Sequence, residues 1–231
     1  MSSQHALVHL APEPDATASD LANEAEDTLW DLPGGWERVL VTHPENQYAG
    51  TFPLRNGADP NHPQLIRVSG GTTTRYAGGP VGLLDLHACR TRAADRAARL
   101  HDTWTQAVAT MPPVRPLADY LSDAKDSVYA GLAFREQPHI KVAVSLADAR
   151  LSWADQEALA ALDRDAFVER ARVQAVTGNS LLQLDGTWLV SPTWADPQAP
   201  ETAAAEYHQR VNAYLDNLPA DHVIVGADFI R

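Results

Sequence analysis

The sequence predicts an α+β fold, a mixed and largely antiparallel sheet covered by helices. Three observations carry this. A long stretch at about 83–110 repeats apolar residues at helical spacing. Short β-branched runs recur between turn signals without the strict strand–helix alternation of a doubly wound parallel sheet. The C-terminal third reads as a hairpin followed by a helix–strand unit that closes the chain. The 231 residues suffice to bury a full core, and they read as one domain with a soft division near 111–138.

Residues 5–11 alternate moderately and read as a strand, which Pro12 and Pro14 end. Ser19 or Asp20 is placed to cap a helix running to about Trp30, with acids in its first turn where the dipole favours them. Leu32-Pro-Gly-Gly stops it. Val39-Leu-Val is strand-like, and another strand is expected over 48–54, ahead of the Asn56-Gly57 turn. Residues 64–68 form a further strand candidate.

On the long helix Ala93, Ala97, Leu100, Trp104, Ala107 and Met111 share one face, and Met111-Pro-Pro ends it. Residues 117–132 read as helical. HIKVAVSL, 139–146, has the β-branched alternation of a strand. Ser152 or Asp155, then Asp163 or Asp165, open two helices, the second reaching Val176. Asp185-Gly186 joins 181–184 to 187–190 as a hairpin with a two-residue type I′ turn. The proline-rich loop 192–200 leads to a helix over 201–218, with Tyr207, Val211, Tyr214, Leu215 and Leu218 on its buried side. Residues 221–230 form the closing strand.

Composition, 45% hydrophobic and 21% charged, is that of a folded chain. No apolar run approaches the ~20 residues a bilayer crossing needs, so no membrane partner is expected. The first residues lack the basic flank and apolar core of a secretion signal, and Cys89 stands alone, so a cytoplasmic location is expected. The net charge of −12 is uneven: residues 1–37 carry eight acids and no Lys or Arg, whereas 38–144 carry nine acids and twelve bases. That balance opposes direct nucleic-acid binding, which needs positive charge against each phosphate.

In the last third, "LDRDAFVERARVQAV", a hairpin carrying "DGTW" and "YHQRVNAYLDNLPADHVIVGADFI" follow one another. Residues 162–231 resemble in this order a group of uncharacterised proteins of actinobacteria and their phages, and upstream "GTFPLRNGADP" is similar to the same group. The resemblance implies an origin and no activity. The group carries Asp-Cys-His after the last strand, where this chain has Asp228-Phe229-Ile230; it also carries an early Gly-Gly-Arg-Trp, where this chain has His43-Pro-Glu-Asn. A site built from those residues in the group would be altered here.

The chemistry-bearing candidates are few. Gly70-Gly71-Thr72-Thr73-Thr74-Arg75 holds the atom types of an anion loop, without the spacing of a Walker or dinucleotide loop. Arg92, Arg96 and Arg99 stand at i, i+4, i+7 on the long helix, with Arg90 nearby, and suit phosphate or carboxylate. His43, Asp59, His62 and His87 have no metal-ligand spacing, and no motif calls for a cofactor. No G-x-S-x-G elbow or nucleophile–base set can be assembled. Trp194, in the proline-rich loop, is an aromatic of the kind that anchors interfaces.

The leading expectation is a non-enzymatic module that binds protein, either itself or a host factor. The alternative is a binder of a nucleotide or other small anion through Thr72, Thr73, Thr74, Arg75, Arg92, Arg96 and Arg99.

Overall fold

A computed structural model describes residues 3–32, 38–43, 52–68, 76–123, 127–146, 153–195 and 201–230. In chain order, β1 (Ser3–Leu10), α1 (Ala18–Trp30), β2 (Arg38–Leu40), β3 (Ile66–Arg67) and β4 (Tyr76–Pro80) lead, through a 3-10 turn at Val81–Leu83, to α2 (Leu86–Val108). Then come α3 (Leu117–Asp123), α4 (Ser127–Arg135), α5 (Pro138–Leu146), α6 (Trp153–Ala161) and α7 (Arg164–Gln174). The chain finishes with β5 (Ser180–Leu182), β6 (Trp188–Val190), α8 (Pro192–Ala195), α9 (Glu201–Asp216) and β7 (Val223–Ile230). This is the α+β class the sequence predicts. Two compact units divide it, Met1–Thr91 with Val173–Arg231, and Arg92–Arg172; residues 111–138 lie inside the second.

The first unit is built on one seven-stranded sheet ordered β3-β4-β7-β1-β5-β6, with β2 also on β7. Its described pairs are antiparallel except β1 with β5. β1 and β7 run side by side over their full lengths, Ser3 opposite Ile230 through Leu10 opposite Val223. Both faces of these central strands are covered, which is why β7 reads as a nearly unbroken apolar run. One face holds Ala6, Val8, Val223, Val225, Ala227 and Phe229 against Leu21, Ala25 and Leu29 of α1. The other packs Leu7, Ile224 and Leu181 against Tyr207, Val211 and Leu215 of α9.

Local chemistry adjusts several boundaries. Thr17, not Ser19 or Asp20, caps α1: its side chain accepts from Asp20 N–H while the Asp20 carboxylate takes the Thr17 backbone N–H at 2.8 Å, a reciprocal capping box. Of the strand expected over 48–54, residues 48–51 lie outside the described ones, and Phe52 and Leu54 make only single bridges, to Tyr76 and Leu84. The β5–β6 hairpin pairs Leu182 with Trp188, but its turn is not type I′. Within the turn only Gly186 has a positive φ (82°), and its N–H reaches Gln183 O at 3.0 Å, so the link is a three-residue loop closed by a left-handed glycine. Gly78 and Gly79 belong to strand β4.

The second unit is helical. Ala97, Trp104, Val108, Ala143, Leu159 and Phe167 form its core. The apolar seam of α2 ends on Val108 instead of Ala107, which is exposed. HIKVAVSL is helix α5, not a strand. Pro138 is favourable in a first helical turn, and the helix sets His139, Ile140 and Ala143 inward while Val144 faces solvent. The stretch 117–132 forms two helices, α3 and α4.

Candidate functional site

A cleft of the first unit that holds charges of both signs is assembled from three distant pieces of chain. Residues 53–55 are laced against 83–85: Arg55 N–H to Leu83 O at 2.9 Å and Asp85 N–H to Pro53 O at 2.8 Å, with Arg55 Nε donating to Leu84 O at 3.0 Å. This sets Arg55 beside Asp85, whose carboxylate takes the Ala88 N–H at 2.8 Å and caps α2. The third piece is the end of α9 and the loop after it. Gly82 N–H donates to Ala220 O at 2.7 Å, and a Cβ at Gly82 would sit 2.9 Å from that oxygen. Only glycine lets the two segments meet so closely. Between them opens a cleft of about 680 Å³, of the size that holds small molecules.

Arg90 is its central charge. On α2 it follows the register of Ala93 and Ala97, three and seven residues on, and so points with the apolar stripe. Its side chain is only 13% exposed. Nη1 meets Asp216 Oδ1 at 2.7 Å, while Nε and Nη2 are buried with no hydrogen-bond partner. Those two N–H groups form the side edge of the guanidinium. Elsewhere the chain fills that edge with a carboxylate: Arg164 on Asp102 at 2.7 and 3.2 Å, Arg172 on Glu169 at 2.7 Å twice. Buried donors left unmade are costly, of order 1–3 kcal/mol each. The cleft is also lined by the charged Arg55, Asp85 and Asp216 and by the exposed His87.

The residues singled out from the sequence fall elsewhere. Thr72, Thr73, Thr74 and Arg75 lie outside the described residues. Arg92, Arg96 and Arg99 share one exposed face of α2 within the second unit and do not line the cleft. Trp194 lies in α8, and its side chain is outside the described residues. Arg55 and Asp216 carried no signal, since each gains its place through tertiary contact. Arg90 did carry one, an arginine in register with an apolar stripe.

A second polar cluster lies on the α9 face of the sheet. The Tyr214 hydroxyl is 2.5 Å from His9 Nδ1, and His9 Nε2 is 2.7 Å from His222 Nδ1. Burial, and then the neighbouring His222, hold the His9 pKa below the ordinary histidine value, favouring the neutral ring. Near the other end of β1, buried Asp228 has His5 Nδ1 at 3.5 Å. Among the described residues no three His, Cys, Asp or Glu side chains are grouped to hold a metal ion, and no helix is long and apolar enough to cross a membrane. Comparison of the chain with protein-family models, curated proteins and solved structures finds no match.

Proposed function

We propose that the first unit binds a small anionic ligand in the cleft around Arg90, with Arg55 and His87 at its edge. The observation that carries this reading is Arg90 itself, a guanidinium that lines the cleft with its side chain only 13% exposed and one ion pair, to Asp216. Burying a guanidinium is unfavourable unless its donors are met, and one bond to a half-exposed aspartate leaves most of them unmet. A carboxylate or phosphate in the cleft would add a second negative charge beside the guanidinium. This moves the anion-binding reading from Arg92, Arg96 and Arg99 to Arg90. Calorimetric titration with acetate and inorganic phosphate tests it. Binding should weaken at least tenfold in Arg90→Met, about the strength of one charged hydrogen bond, and stay unchanged in Arg96→Ala. Equal binding by parent and Arg90→Met would remove the reading.

A second reading, self-association through the second unit, has its own observation. Tyr129 is 71% exposed, and Val128, Leu132 and Leu121 on α3 and α4 are also well exposed, an apolar face of the kind that marks interfaces. Light scattering should give a multiple of the 25.1 kDa chain mass, and a Tyr129→Ser/Leu132→Ser double variant should return it to one chain. A strictly monomeric parent would sink this reading. The cytoplasm is the proposed compartment, and the likeness of residues 162–231 to actinobacterial and phage proteins supports a phage or host origin under either reading.

A further inference from the structure

We infer that the ligand of the Arg90 cleft is a zwitterion of amino-acid type, carrying a carboxylate and an ammonium group a few bonds apart. This rests on the anion-binding reading and narrows it. The fixed charges of the cleft come in opposite pairs, Arg55 and Arg90 against Asp85 and Asp216. A phosphate dianion brought to Arg90 would face both carboxylates, a like-charge penalty that the two arginines only balance. A guest bearing both signs meets each charge with its opposite.

The ends of the two helices sort the signs. α2 begins at the cleft, presenting the positive end of its dipole beside the arginines. α9 ends there with Asp216 as its last residue and no basic residue in its last turn, so negative charge gathers at that side. Asp216 is 52% exposed and accepts from Arg90 through Oδ1, which leaves Oδ2 able to accept from an ammonium. The carboxylate of the guest is therefore assigned to the arginine side of the cleft, Arg55 and Arg90, and its ammonium to Asp216. Val81, Leu86, Leu215 and Leu218 supply the rest of the wall, which suits an apolar side chain.

Titration of the full chain with matched probes tests this. L-leucine and L-phenylalanine carry both charges; 4-methylpentanoate and 3-phenylpropanoate lack the ammonium; 3-methylbutan-1-amine lacks the carboxylate; inorganic phosphate is the anion control. At least one amino acid should bind tenfold or more tighter than its deaminated analogue, and the amine should not bind. Asp216→Asn should weaken the amino acid and strengthen the plain carboxylate, because it removes the ammonium partner and the competitor for Arg90 together. A merely structural role for Asp216 would weaken both. If phosphate or a plain carboxylate binds as tightly as the amino acids, the zwitterion assignment fails while the anion-binding reading stands. If no probe binds, both fall.

Discussion

The Gly78→Ala chain should lose about 3 kcal/mol of stability or more, enough to leave a marginal domain largely unfolded. Gly78 pairs with Val225, and an ideal Cβ there would lie 2.2 Å from Ile224 O and 2.8 Å from Val225 Cα. Both obstacles are backbone atoms, so no side-chain rotation relieves them. β7 cannot retreat, because β1, β2 and β4 all bond to it. Gly57→Ala is the matched control: its φ is 84° with nothing within 4 Å, so only backbone strain of about 1–2 kcal/mol applies. Denaturant unfolding of the two variants separates packing from strain. A Gly78→Ala midpoint equal to that of Gly57→Ala would contradict the close approach of β4 and β7.

Trp104→Ala should cost about 3–5 kcal/mol, and the loss should register in the second unit. Trp104 is buried among Ala97, Ala143 and Phe167, with the His101 ring 6.0 Å away. Its indole N–H donates to His139 O at 3.1 Å, which ties α2 to the start of α5. Trp104→Phe keeps most of the apolar volume and gives up that bond, so a loss of about 1 kcal/mol is expected. Amide exchange measured residue by residue would locate the effect. Unchanged protection across 92–172 in Trp104→Ala would refute this account of the core.

What could be read in advance follows the range of the forces involved. Turns and caps are local, so Asn56-Gly57, Asp163 and the hairpin at Asp185-Gly186 were visible in the chain. Even there a long-range term intervened: strand register chose a three-residue loop with Asp185 at negative φ. HIKVAVSL failed as a strand because eight residues fit both periods, and packing of Ile140 and Ala143 decided between them. The cleft was less legible still. Arg90 and Asp216 stand 126 positions apart, and no spacing rule joins them. Only Arg90's place on an apolar stripe hinted at a buried charge, and the three arginines beside it drew the reading to the solvent face instead.

The row Tyr214–His9–His222 obeys a constraint of its own. A neutral imidazole holds a single ring proton, so fixing the direction of one bond in the row fixes the next. Either the phenol gives to His9 and His9 to His222, or every donor and acceptor is reversed. Switching between these tautomers takes up a proton at one end and releases one at the other while no heavy atom moves. α9 and β1 are thus linked through a row of hydrogen bonds whose donors and acceptors are set together.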